Sequence, residues 1–357
     1  MRSKPVIAIT LGDVCGVGPE IVARAVAAPR IQRVCQPLVI GRIDTLQRAV
    51  SLHQLPPINW HAVDTPDVRP LPTGVVPVFD PQPESSLPTT AAVHAAAGDA
   101  AYRYLLAGIE LARRSVVDAL ATAPLNKAAL QAAGHNYPGH TEILADECGV
   151  RDFAMMLHLP ESRVAPLRDL IAPHRSFTTA SGVSIAHVTL HTSIDSVPGR
   201  LTTAGVREKI LLMDGFLRDL AAPRRSIAVC ALNPHGGEQG LFGTEESAII
   251  QPAVDSLSTE LDVHGPLPVD TLIRRAVSGE FDGVVAMYHD QGHIPIKMIG
   301  FDAAVNITLG LPIIRTSPTH GTAFDRAWNA DTPADASGMQ EAILTAVALA
   351  AGRRART

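Results

Sequence analysis

The chain has 357 residues, 46% of them hydrophobic and 18% charged, which marks a globular protein with enough apolar material for two lobes. A formal net charge of −5 and an aromatic content of 4% exclude the basic, ring-rich surface that nucleic-acid binding needs. Cys15, Cys35, Cys148 and Cys230 are widely spaced, so neither a disulfide framework nor a cysteine zinc site is expected. No apolar run reaches membrane length and no signal peptide precedes the first apolar run, so the protein is expected to be soluble and cytoplasmic.

The chain opens as strand, turn and helix: Val6 to Thr10, then the glycine-rich Gly12 to Gly18, then Pro19 as the first helical residue. GDVCGVGPE does not fit the dinucleotide fingerprint G-x-G-x-x-G, although a turn of this kind can cradle an anion at a helix N-terminus. A short strand follows at Pro37 to Ile40, a helix after Asp44, and a Pro-rich connection from Leu55 to Pro88 with a strand near Val75 to Phe79. Ala91 to Arg114 is helical by its apolar spacing and feeds a strand over Val116 to Ala121, which ends in the polar run Thr122 to Lys127. A helix and then Tyr137-Pro138-Gly139-His140-Thr141-Glu142 come next. Here Thr141 either caps the following helix or joins His140 in holding a ligand.

Pro160 to Gly182 is rich in prolines, arginines and small polar residues and is expected to be a long surface loop or flap. Val183 to Leu190 is β-branched, which places His187, Thr189 and His191 on one face with His191 at the strand's end. Thr203 to Leu220 is helical, and Ser226 to Leu232 is a buried strand that runs into Asn233-Pro234-His235-Gly236-Gly237-Glu238. Helices are expected near Thr244, Asp270 and Met339. The apolar run Gly283 to Met287 ends at Tyr288-His289-Asp290-Gln291-Gly292, the pattern of a buried strand delivering polar groups to a sheet rim. Lys297, Asn306 and Arg315 follow, donors of the kind that hold a phosphate or carboxylate, and the turn Thr316 to Thr322 closes the group.

The alternating elements predict an open α/β architecture. His191, His235 and His289 each follow an apolar β-run, so the three can converge at one sheet edge and bind a divalent metal with a position left open.

The motifs ITLGDVCGVGPEI, TAPLNKAAL, YPGHTEILA, LNPHGGEQGLFGTEE, GPLPVDTL, AMYHDQGHIPIK and VNITLGLPIIRTSPTHGTAFD occur in an order in which the chain resembles the 4-hydroxythreonine-4-phosphate dehydrogenase (PdxA) family over nearly its whole length. That resemblance implies two α/β/α lobes with a cleft between them, similar to isocitrate and isopropylmalate dehydrogenases. The lobes would comprise 1–122 plus 307–357 on the nucleotide side, and 123–306 with the metal, substrate and dimer contacts. It further implies a homodimer with the active site near the interface, NAD or NADP, and one divalent ion (zinc, magnesium, cobalt or manganese). By position, the metal ligands would be His191, His235 and His289, the substrate contacts His140, Thr141, Lys297, Asn306 and Arg315, and a supporting aspartate Asp270. Gly12 and Asp13 of the opening turn, with Thr316, Ser317, His320 and Gly321, would hold the nucleotide.

The implied reaction oxidises a secondary alcohol beside a carboxylate-bearing carbon, with loss of carbon dioxide; Asp270 and Lys297 are the catalytic candidates, and Asp270 or a water on the metal takes the proton. The lead substrate is 4-phosphohydroxy-L-threonine, with D-threonate or D-erythronate 4-phosphate as the rival. A three-histidine hydrolase and a non-catalytic sugar-phosphate-binding protein are the more distant readings. Three departures bear on the substrate: Val14-Cys15 replaces the family's Pro-Ala, 160–182 resembles an insertion, and His293 stands where many members are apolar. A histidine there would favour a hydroxyl over an amine at the substrate's second carbon.

Overall fold

The structure, a computed structural model, describes residues 4–65, 74–172 and 181–356. In chain order the first elements are β1 (Val6–Thr10), α1 (Gly18–Ala27), α2 (Pro29–Val34), β2 (Gln36–Ile40), α3 (Ile43–Leu52), β3 (Asn59–Ala62), β4 (Val75–Phe79), α4 (Ala95–Arg113), β5 (Ala119–Thr122), α5 (Lys127–Ala132) and α6 (His140–Cys148). Then come β6 (Ala154–Leu159), α7 (Glu161–Ile171), β7 (Val183–His187), α8 (Val197–Arg200), α9 (Thr203–Asp219), β8 (Ile227–Cys230), α10 (Gln251–Asp255), β9 (Val263–Leu267), α11 (Val269–Val277), β10 (Gly283–Ala286), α12 (His289–Gly300), β11 (Val305–Leu309), β12 (Arg315–Pro318) and α13 (Ser337–Arg356). The chain has an α/β fold, and it divides into a unit of Met1–Arg151 with Leu311–Arg354 and a unit of Asp152–Gly310 with Ala355–Thr357. These boundaries lie beyond 122 and 306, because α5 and α6 pack on α4 and stay with the first unit.

In the first unit the strand order is β3-β4-β2-β1-β5-β12, parallel throughout. Parallel strands covered on both faces read as unbroken apolar runs, as VIAIT and ALAT do, and their polar residues emerge at the carboxyl ends. Thr10 is in register with Thr122, so the turn after β1 and the loop after β5 leave the sheet side by side. Gly12 adopts φ +63, and a Cβ there would stand 2.2 Å from the Pro124 carbonyl oxygen, which restricts the position to glycine.

The second unit is mixed: β11-β6-β7-β10-β8-β9, antiparallel across β11/β6/β7 and parallel from β7 to β9. Its core gathers Leu157, Ile185, Ala228, Leu272, Val284 and Ile296, all fully buried. The strand β6 was not expected, since AMMLHL carries two methionines and a histidine where β-branched residues would announce a strand.

The expected loop over 160–182 is instead the helix α7 as far as Ile171; residues 173–180 lie outside the described part of the chain. Pro166 hid the helix from the sequence pattern. Glu161 is paired with the Arg168 guanidinium one helical face along, Arg168 Nε donates to the Val277 carbonyl at 3.0 Å, and Val164, Leu167 and Ile171 turn their apolar side into the core. The strand β7 also ends at His187, three residues earlier than expected, so His191 sits in the turn beyond it and the alternation His187, Thr189, His191 does not extend along one strand face.

His158 on β6 is buried, with Nδ1 2.9 Å from Ser184 Oγ and its ring edge-on to Phe216. Burial pushes its imidazole from 6.5 down to about 4. Within that window the unfolded chain binds a proton that the native protein refuses. The stability due to neutral His158 is therefore full above the unfolded value and is lost as pH falls toward the folded one, about 3 kcal/mol in all. His158→Gln is expected to flatten the acid limb of a denaturant-stability profile by that amount, and an unchanged limb would exclude His158 as its cause.

Candidate active site

In the second unit the site is built at the carboxyl ends of β7, β8 and β10. The backbone N–H groups of Val188 and Thr189 donate to the carbonyls of Ala286 (2.8 Å) and Met287 (3.1 Å), and Thr189 Oγ1 adds a bond to Met287 at 2.8 Å. Gln291 ties the neighbouring ends together, accepting from Met287 N–H at 2.8 Å and donating to the Ala231 carbonyl at 2.9 Å. These bonds set the turn holding His191 beside the start of α12, and the rings of His191 and His289 lie 5.9 Å apart.

His289 is the first residue of α12, a helix the sequence pattern did not announce because Gly292 and Pro295 interrupt it. Helical spacing then places His289, His293 and Lys297 one above another on a single face. His289 Nδ1 is 2.7 Å from Asp290 Oδ1; donating there, the ring keeps its lone pair on Nε2, the state a metal ligand requires.

His293 is buried, not a solvated surface group. Its ring stacks on His289 with centroids 3.6 Å apart and an interplanar angle of 11°, and its Nδ1 lies 3.2 Å from His187 Nε2. Burial lowers the His187 imidazole to about 4; burial, then the charges of His187, His289 and Lys297, take His293 to about 3, so both are neutral at physiological pH. A neutral imidazole whose Nδ1–H is already engaged offers a substrate only an acceptor, which a hydroxyl and an ammonium use equally. His293 therefore gives no ground for choosing between the two substrate classes.

His235 stands apart from that pair. Its turn is held by Glu246, which accepts the backbone N–H groups of Leu232 (2.9 Å) and Asn233 (2.7 Å) and the Asn233 amide (3.0 Å). Burial alone would raise the Glu246 pKa, but the hydrogen bonds outweigh it and hold it below the ordinary carboxylate value. Five successive residues, His235 to Gln239, have φ between 43° and 78°, a left-handed run costly for the three that are not glycine. His235 opens into a pocket of about 680 Å³ shared with Asp270, Tyr288, Asp290, Gln291 and Ile294. Among the described residues, no three His, Cys, Asp or Glu side chains are grouped to hold a metal ion. His191 and His289 fit two positions of such a set, and Asn306 on β11 has a buried Oδ1 without a protein partner.

In the first unit, Arg315 at the start of β12 is 1% exposed, and its Nε and Nη2 donate to Thr122 Oγ1 at 3.2 and 2.8 Å. Burial lowers its guanidinium to about 9, partly offset by Glu142, and burial and then the Arg315 charge keep the His140 imidazole well below its ordinary value. His140, Thr141 and Glu142 form the first turn of α6, so Arg315 and this turn make one polar cluster.

The opening turn supplies the second cluster of that unit. Asp13 is fully buried; Oδ1 accepts from Cys15 N–H at 2.9 Å, while Oδ2 has no protein partner. Burial raises its carboxyl to about 6 against the Cys15 bond and the His94 charge. Val17 N–H donates to the Thr322 carbonyl at 2.9 Å, which brings the turn after β12 onto the opening turn. There His320 also has a buried ring nitrogen, Nε2, without a partner, whereas the Thr316 hydroxyl donates to the Ala342 carbonyl at 2.9 Å and so serves the fold. Glu20 locks the same turn, accepting Trp328 N–H at 2.6 Å and pairing with His53. Orphaned buried acceptors facing a glycine turn fit a nucleotide cofactor that completes their hydrogen bonds. Sequence reasoning placed Asp290 and Gln291 at the sheet rim without a role and missed Glu246, because their part depends on contacts that spacing does not disclose.

Residues 33–346 match the family model described as pyridoxal phosphate biosynthetic protein PdxA. The D-threonate 4-phosphate dehydrogenase of Salmonella typhimurium is 43% identical over 333 residues, spanning 92% of this chain and 94% of that protein. The 4-hydroxythreonine-4-phosphate dehydrogenase of Trichlorobacter lovleyi is 42% identical over 359 residues, spanning 98% and 99%. A crystal structure of 4-hydroxythreonine-4-phosphate dehydrogenase from Klebsiella pneumoniae superposes with a TM-score of 0.81 at 38% identity, covering 97% of this chain and all of that one. The chain thus belongs to the PdxA family and is a dehydrogenase, an oxidoreductase of that family.

Proposed function

We propose that the protein oxidises the 3-hydroxyl of a 4-phosphorylated hydroxy acid with NAD or NADP and a divalent metal, and that decarboxylation follows. The observation that carries this reading is His289, its Nδ1 2.7 Å from Asp290 Oδ1 and its ring beside His191, at the head of a helix face that also bears Lys297. His191, His289 and His235 are the proposed metal ligands. A divalent ion held by these residues would supply charge stabilisation for deprotonating the alcohol and for decarboxylation, and bound NAD or NADP would supply the hydride acceptor.

The chain's own residues bind and orient. Lys297 and Arg315 take the anionic groups of the substrate, His140, Thr141 and Asn306 fix its polar groups, and Asp270, exposed beside His235, takes the proton. Asp13, Gly12, His320, Gly321 and Ser317 are the residues proposed to hold the nucleotide. A homodimer belongs to the same proposal: Ile294 and Met298 on α12 and Phe301 just after its end are exposed apolar side chains, and Ile294 also lines the pocket holding His235. So does a cytoplasmic location, which four free cysteines support; no helix of the described residues is long and apolar enough to cross a membrane.

The lead substrate is 4-phosphohydroxy-L-threonine. D-Threonate or D-erythronate 4-phosphate is the second reading; identities of 43% to a D-threonate 4-phosphate dehydrogenase and 42% to a 4-hydroxythreonine-4-phosphate dehydrogenase favour neither. The test is kcat/KM for each of the three with NAD and with NADP in the presence of divalent metal. Metal-dependent nucleotide reduction with one of them is expected. Phosphate release without nucleotide reduction would favour a hydrolase instead.

A further inference from the structure

We propose that His187 and His293 are positioning residues for His289, a buried pair that sets the plane of that imidazole; the proposal rests on the reading that His289 holds the metal. The tether on the edge of His289 is weak by itself, because the Asp290 side chain is 63% exposed and can swing away. The face of the ring is held differently. His293 lies parallel to it at 3.6 Å and is 5% exposed.

His293 is fixed in turn from behind. His187 Nδ1 faces the Met155 carbonyl at 3.3 Å, which can only accept, so His187 carries its proton on Nδ1 and presents a bare Nε2. His293 Nδ1 must then be the donor, shared between His187 Nε2 at 3.2 Å and the His289 carbonyl at 3.3 Å. One chain of contacts thus runs from the Met155 carbonyl through two imidazoles to the face of a third. Gly292 makes it possible: a Cβ at that position would lie 2.3 Å from His187 Nε2, so any other residue would push His187 off the helix. Two neutral histidines serving only as filling would need no such register with the ring at the head of α12.

The test is cobalt(II) titration of the full-length, metal-stripped protein, following the visible cobalt absorption and the dissociation constant by competition with a chelating dye. His293→Leu is expected to weaken cobalt binding about ten- to hundredfold and to shift the cobalt bands. His293→Phe keeps a ring against His289 and is expected to recover most of the affinity. His187→Leu should weaken binding by a smaller factor, and the double leucine variant no more than His293→Leu alone, since His187 acts through His293. Thermal unfolding of each metal-free variant separates loss of fold from loss of positioning; should His293→Leu not fold, His293→Phe and His187→Leu carry the comparison. Wild-type cobalt affinity and spectrum in His293→Leu, with both lost in His289→Ala, would overturn the role of the pair alone. Wild-type cobalt binding in His289→Ala would overturn the metal reading and this proposal with it.

Discussion

Replacing His289 by alanine is expected to lower kcat/KM by about a thousandfold or more while leaving the protein folded. The size reflects the several kilocalories per mole that a metal contributes to stabilising developing charge, each tenfold in rate corresponding to about 1.4 kcal/mol. The fold should survive because His289 is the first residue of α12 and only half-buried, and the register of β10 and the bonds of Gln291 do not depend on its ring. Steady-state kinetics and metal content of the purified variant check this together. A variant with normal activity and metal content would remove His289 from the site.

The second large effect is at Arg315. Arg315→Lys is expected to raise KM for a phosphorylated substrate by about ten- to hundredfold, the loss of a charge-assisted bond of about 1.5–3 kcal/mol. A lysine keeps a positive charge but cannot reproduce the two-pronged contact by which Nε and Nη2 both reach Thr122 Oγ1. Its ammonium would also carry the desolvation cost that already lowers the arginine to about 9. Because this side chain is 1% exposed, thermal unfolding must accompany the kinetics. Loss of stability with an unchanged KM would assign Arg315 to the fold rather than to the substrate.

Much of the site was legible because buried parallel strands announce themselves. Val6 to Thr10, Ile227 to Cys230 and Gly283 to Ala286 are unbroken apolar runs, and the polar residues after each run mark the sheet's functional edge. The segments beyond the strand ends were less legible. Gly292 and Pro295 masked α12, and with it the stacking of His289, His293 and Lys297 on one face. Pro166 masked α7 in the same way, and Met155 and Met156 obscured β6. The position of His235 depends on a run of left-handed backbone and on the Glu246 carboxylate that organises it, and neither has a periodicity that a sequence displays. Buried charges such as Glu20 and Asp13 were hidden too, since burial of a carboxylate is decided by the elements that close over it.

Metal removal tests the metal-dependent dehydrogenase reading most directly. The purified protein is stripped with a chelator and assayed for reduction of NAD and NADP with the three phosphorylated acids, before and after zinc, magnesium, cobalt or manganese is restored. Nucleotide reduction that disappears with the metal and returns on its replacement is the predicted result. Undiminished reduction by the stripped protein, or no reduction with any of the acids under any metal, would contradict it.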